Sequence, residues 1–195
     1  IMPPGKPLLA GSYSVVAVLD SVFVEHNFIV KEHPENGKTN EYRIAQRAAY
    51  VEVSEIVKPI LKDVERLKDM EAVMKTVTSN MSLLEDSAKK DLTKLGKQVS
   101  DTLNQLFELY FLPKGFEGYD HVSIRISNLC NNMQTYLRAE NRGESGNYEL
   151  SKGRLLFAWE EAHKKQEAFE QGIWFEYQSK VSEQQFDFFK KLKED

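Results

Sequence analysis

A single cysteine, Cys130, occurs among the 195 residues, which excludes an internal disulfide and a cysteine-rich metal site. Long apolar runs are also missing. The longest, Val15 to Leu19, falls far short of the roughly 20 residues of a membrane-spanning helix and suits a strand. Blocks of like charge are absent as well: 26 Lys and Arg stand against 30 Asp and Glu, a net charge of −4 spread along the whole length. Nucleic acid is therefore not expected as a partner, because phosphate-backbone binding needs a clustered basic footprint. No G-x-S-x-G, phosphate loop, dinucleotide fingerprint, internal repeat or low-complexity segment occurs. Ile1 precedes Met2 with no charged and apolar leader behind it. Neither a natural start nor a secretory signal is visible, so the chain is expected to be cut from something longer or to bear a tag remnant, and its compartment is unknown from the sequence.

An apolar share of 41% is ordinary for a globular protein and large enough to bury a core. The first part of the chain has period two. Tyr13, Val15, Ala17 and Leu19 alternate with Ser14, Val16, Val18 and Asp20. A second run, from Val22 to Lys31, sets Val22, Val24, Phe28 and Val30 on one face and Phe23 and Ile29 on the other. Together they predict a β-hairpin turning at Asp20 and Ser21, a pair without the Gly that tight primed turns favour. Two strands alone are marginal in water, so the hairpin is expected to join a sheet or be covered by a helix.

From about Asn40 onward the period is helical. Val53, Val57, Ile60, Val64, Leu67, Met70, Met74, Val77 and Met81 form one seam, with Pro59 inside it expected to kink or divide the helix near Glu55 or Ile56. A second helix is expected from Ser82, where Glu85 completes a capping box, with Leu84, Ala88, Leu92, Leu95, Val99, Leu103, Leu106 and Tyr110 inward. Pro113 to Gly118 ends it. A third, capped by Asp120, brings in Val122, Ile126, Leu129, Met133 and Leu137. A last one is expected from near Ser151 almost to Asp195, with Leu155, Trp159, Ala162, Gln166, Phe169, Ile173, Tyr177, Val181, Gln184, Phe188 and Leu192 at seam spacing. The fold class is mainly α, an elongated antiparallel bundle with an N-terminal hairpin. Its expected domains are residues 1–39, a hairpin segment completed upstream as a β-sandwich, and residues 40–195, the helical bundle.

The sharpest metal-like pattern is Glu160 with His163, an E-x-x-H pair on a helix. Di-iron bundles need two such pairs plus two further carboxylates, and only one is present, so this pair is expected on the solvated helix face with no metal bound. Cys130 is expected as a small buried thiol, since no partnered His marks it as a nucleophile. Neighbouring acids such as Glu160 and Glu161 do not face one another on a helix, and they too are expected in solvent. No catalytic residue and no cofactor are expected. Aromatics are dense toward the end: Phe157, Trp159, Phe169, Trp174, Phe175, Tyr177, Phe186, Phe188 and Phe189. A broad core face against two neighbouring helices would accommodate them. Alternatively, Trp174, Phe175 and Phe189, which fall beside the seam, form an exposed patch that docks a partner, and these three are the candidate interaction surface.

The stretch Pro3, Pro4, Gly5, then Ala10 to Val15, then Phe28 to Lys31 and Pro34, resembles a passage near the C-terminus of large bacterial sortilin-like β-propeller proteins, often labelled glycosyl-hydrolase-like. The segment around Leu112, Pro113, Phe116 and Tyr119 is similar too. The turn at Asp20 and Ser21 departs from that pattern by lacking Gly, and the helices are longer. The resemblance implies that the propeller and its catalytic residues lie upstream, that none of them maps here, and that the chain is a non-catalytic accessory or interaction module of a periplasmic or secreted protein. Its implied partners are other domains of the same longer chain, or another protein. A free-standing helical adaptor that dimerises along its long helices, with a version that does so at a membrane surface, is the alternative. Lys89, Lys90, Lys94 and Lys97 favour that membrane version, and Asp91 among them weakens it.

Overall fold

The computed structural model describes residues 8–32, 40–113, 115–118, 124–138 and 146–184. The chain divides into two compact units, Met2–Ile56 and Val57–Asp195.

The first unit contains strands β1 (Gly11–Leu19) and β2 (Val22–Val30), an antiparallel pair. Their two-residue turn is the expected Asp20–Ser21, and Asp20 takes φ 54°. Asp enters this left-handed region more readily than most residues because its short carboxylate can bond locally, which is how the turn forms without Gly. The register sets Tyr13 opposite Phe28, Val15 opposite His26, Ala17 opposite Val24 and Leu19 opposite Val22. Residues directly opposite share a face, so the apolar sets of both strands meet on one side with His26 as their only polar member. Tyr13 and Phe28 stack there with ring centroids 6.0 Å apart. The other face mixes Ser12, Ser14, Glu25 and Asn27 with Val16, Val18, Phe23 and Ile29.

Helix α1 (Asn40–Asn80) begins in the first unit and continues into the second. It is not divided at Pro59; helical backbone runs through that residue. The expected seam from Val53 to Val77 is buried throughout. A short 3-10 turn, Met81–Leu83, follows, and the N-cap of α2 (Asp86–Tyr110) is Glu85, three residues later than the Ser82 of the capping-box pattern, and makes no side-chain cap bond. Buried Leu84 holds extended backbone between the two, so the turn of chain that sinks this leucine displaces the helix start. At the far end Phe111 N–H donates to Phe107 O at 2.8 Å. Arg125 reaches back to donate to the Glu108 and Phe111 carbonyls, a cation on the negative end of the helix.

Helix α3 (Ile126–Arg138) buries Ile126, Leu129, Cys130, Met133 and Leu137 as expected. The cap assigned to Asp120 and the inward position of Val122 lie outside the described residues. Helix α4 (Asn147–Phe169) opens at Gly146, φ 65°, rather than near Ser151, which is buried inside it. It does not run on unbroken: a π turn, Glu170–Trp174, intervenes before α5 (Phe175–Ser182). Gly172, at φ −97° and ψ −110°, leaves the helical region there and kinks the axis.

The five-residue stride of the π turn resets the inward face. Before it the buried positions include Ala162, Gln166 and Phe169; after it they are Trp174 and Tyr177, while Ile173 is only half-buried. Tyr177 then lies against Gly96 of α2, where a Cβ would sit 3.5 Å from Tyr177 Cε2. That spacing is an ordinary contact, so Gly96→Ala is expected to raise the denaturant midpoint by the helix-propensity gain of about 0.5–1 kcal/mol. Gly96→Leu is expected to lower it, because the longer side chain must displace a ring only 1% exposed.

Candidate functional site

Asp63 is the buried acid around which the second unit is wired. It lies on α1 three residues after Ile60 and four before Leu67, both fully buried, and is itself 7% exposed. A carboxylate in that position must be met by donors from other helices, or its desolvation costs several kcal/mol. Helix α4 supplies two. Trp159 Nε1–H donates to Asp63 Oδ2 at 2.7 Å, and His163 Nδ1 lies 2.9 Å from the same oxygen. An ionised carboxylate only accepts, so the bond requires the His163 tautomer or cation with a proton on Nδ1. The two rings lie tilted beside each other, centroids 5.6 Å apart. Helix α2 brings the fully buried Tyr110, whose hydroxyl stands 3.5 Å from both Asp63 Oδ2 and Gln166 Oε1, long for a bond of this type.

The network extends along α4 at steps of four and three. Gln166 Nε2 donates to the Asp63 carbonyl at 3.4 Å and to Glu170 Oε1 at 3.1 Å. Arg66, one turn along α1 from Asp63, pairs with Glu170 Oε2 at 2.5 Å. Glu167 Oε1 lies 3.6 Å from His163 Nε2. The inner end of this clasp is dry, and the outer end is wet, with the His163 side chain 40% exposed and Arg66 65% exposed. Burial, followed by the charge and the hydrogen bond of Asp63, pushes the Tyr110 hydroxyl well above its ordinary value. Burial also lifts the Cys130 thiol to about 11, which matches the expected inert core thiol. Asp63 Oδ2 and both carboxylate oxygens of Glu170 are engaged within the bundle, so the arrangement ties α1 to α4. Among the described residues, no group of three His, Cys, Asp or Glu side chains is placed to hold a metal, and no helix is long and apolar enough to cross a membrane.

The sequence-derived positions fare unevenly. Trp174 is no exposed docking residue: it is 6% exposed and packed between Phe169 and Tyr177, ring centroids 6.2 and 5.8 Å away. The cause is the π turn, which adds a residue to the stride and swings Trp174 into the position that straight helical spacing gives to Ile173. Phe175 is 63% exposed, as expected. Phe189 lies outside the described residues. Glu160 is exposed, but His163 is not simply a solvated residue, because its inward nitrogen meets Asp63. Lys89, Lys90, Lys94 and Lys97 are exposed. Asp63 and Tyr110 were missed as a pair, although Asp63 and Gln166 both fall at seam spacing, the one signal that marks them.

Three outcomes follow from this geometry. Trp159→Phe and His163→Ala are each expected to cost about 1.5–3 kcal/mol, as for hydrogen bonds to a charged group, while Glu160→Ala stays within about 0.5 kcal/mol. Urea midpoints check this, and the double variant should show non-additivity because both bonds end on one oxygen. Trp174→Ala is expected to cost about as much as Phe169→Ala, roughly 3–5 kcal/mol. For pH, burial raises the folded values of Cys130, Tyr110 and Tyr177 above their unfolded ones, so the unfolded state loses protons first as pH rises. Stability should fall between about pH 9 and 11 as unfolded Cys130 ionises, and fall further once unfolded Tyr110 and Tyr177 do; Cys130→Ala should remove the first part of that loss.

No family model, curated protein or solved structure matches the chain, and the reading of this clasp rests on its own geometry.

Proposed function

We propose that the chain is a non-catalytic structural module of a larger protein, in which the hairpin completes a β-sandwich with upstream sequence and the helical unit is an accessory domain. The observation that supports this reading is the hairpin's almost wholly apolar face, set against a mixed one that alternates Val16, Val18, Phe23 and Ile29 with polar residues. Val15, Leu19, Val22 and Val24 on that face are 54–77% exposed, and Phe28 is 38% exposed. Burying them fully is worth roughly 5–9 kcal/mol, more than a solvated ribbon forgoes without a cost in solubility. Alternation with a polar-bearing face is the pattern of a sheet that packs on one side.

Size argues for a tethered cover. Nine-residue strands are about 30 Å long, and two of them about 10 Å wide, a footprint of about 300 Å². Stable separate partners bury about 800 Å² each. A sheet on the same polypeptide needs less area, because the linker supplies a high effective concentration. The resemblance to the region near the C-terminus of sortilin-like proteins agrees with this cover and supplies the periplasmic or secreted location.

In this chain alone, amide exchange is expected to be fast at Val16 and Val24 and slow at Leu95. Co-expression with the encoded upstream region should slow the hairpin amides. Val15→Lys and Val24→Lys, on the apolar face, should abolish that protection, and Val16→Lys and Phe23→Lys, on the mixed face, should leave it. Equal effects from the two faces would count against the sandwich. A concentration-dependent dimer lost with Val24→Lys would favour the dimerising adaptor instead.

A further inference from the structure

Within the second unit, a groove of about 350 Å³ lies between the end of α2, the start of α3 and the middle of α4. Its apolar walls are Leu109, Ile124, Ile126, Leu129, Phe157 and Ala158. Two of them are turned to solvent to an unusual degree for large apolar side chains: Ile124 is 69% exposed and Phe157 70%. Phe157 thus belongs to the aromatic surplus that the core does not absorb.

The rim is cationic. Arg154 and Lys165 line the groove and make no ion pair among the described residues; its one acid, Glu161, is paired with Lys164 at 2.9 Å and lies within the field of Lys165 as well, which leaves the rim with a surplus of positive charge. Lysine and arginine heads bordering an apolar trough are complementary to an amphiphile with a negative head. The two cations are eleven residues apart on α4, about 16 Å, so a head seated at either leaves the apolar walls to the tail.

Volume separates the occupants. At the roughly 30 Å³ that a water molecule takes up in the liquid, the groove holds about a dozen heavy atoms. A docked helix inserts several anchor side chains along one face and needs a longer trench. A second copy would set one cationic rim against another. We infer that this groove binds a small amphiphilic carboxylate, with an apolar tail of about ten carbons against Phe157 and Ile124 and its head at Arg154 or Lys165. This site is independent of the hairpin and of its covering.

Decanoate, with twelve heavy atoms, is the probe, titrated calorimetrically into the full chain beside decyltrimethylammonium and decyl maltoside. One-to-one decanoate binding is expected, at least tenfold tighter than either comparator. Ala158→Trp, which fills the groove, should weaken it at least tenfold. The double change Arg154→Gln with Lys165→Gln, at the surface, should weaken decanoate about tenfold and leave decyl maltoside unchanged. Absence of saturable binding would overturn the inference, as would equal binding of the three amphiphiles. So would decanoate binding that both variants leave intact, because the probe would then sit elsewhere, on the exposed hairpin face for example.

Discussion

A carboxylate sealed inside a helical bundle has to be met by donors that arrive on other helices, and the second unit is organised by that requirement at Asp63. Trp159 and His163 from α4 end on a single oxygen, and Tyr110 closes over it from α2. Apolar seams alone tolerate sliding by a turn, since one leucine replaces another at similar cost. A one-turn slip here would strand the charge and its donors unpaired. The clasp therefore sets the axial register of three helices, in the manner of a buried polar residue in a coiled coil. Its outer layer, Arg66 with Glu170 and His163 near Glu167, is exposed enough for water to screen it and adds less.

Much of the bundle was legible because it depends on periodicity alone. The seam from Val53 to Val77, the inward set of α2 and the buried face of α3 appear where spacing puts them. Helix ends were less legible. The start of α2 is decided by Leu84, which the core claims in extended form, and this tertiary demand overrides the capping pattern at Ser82 and Glu85. Pro59 likewise sits in continuous helix, where proline's lost hydrogen bond is outweighed by the packing of the turns around it.

The misplacement of Trp174 has a single cause. Hydrophobic spacing assumes 3.6 residues per turn, and the π turn at Glu170–Trp174 breaks that assumption in mid-helix. Gly172 is the trace it leaves in the sequence, yet an isolated glycine in a helical pattern is tolerated too often to signal a change of stride. The consequence is more than local. Without the extra residue Ile173 would take the inward position and Trp174 would face solvent, so the burial of Trp174 between Phe169 and Tyr177 depends on it. Glu170, the first residue of the turn, is held by Arg66 and Gln166, which ties the change of stride to the Asp63 clasp.

The hairpin obeys a different logic. Its strands and turn were legible from alternation, but the pairing was not, because period two leaves open which residues stand opposite. Joining β1 and β2 through two residues fixes that pairing. Leu19 opposite Val22 puts Tyr13, Val15, Ala17, Val24, Phe28 and Val30 onto one side. A slip by one residue would distribute the same valines over both faces and leave no side fit to be covered. The register thus concentrates in the hairpin an apolar surface that folding of the described residues does not bury, while the helical unit satisfies even its buried acid internally. The hairpin keeps apolar side chains at its surface, whereas the helical unit pairs even its buried charge.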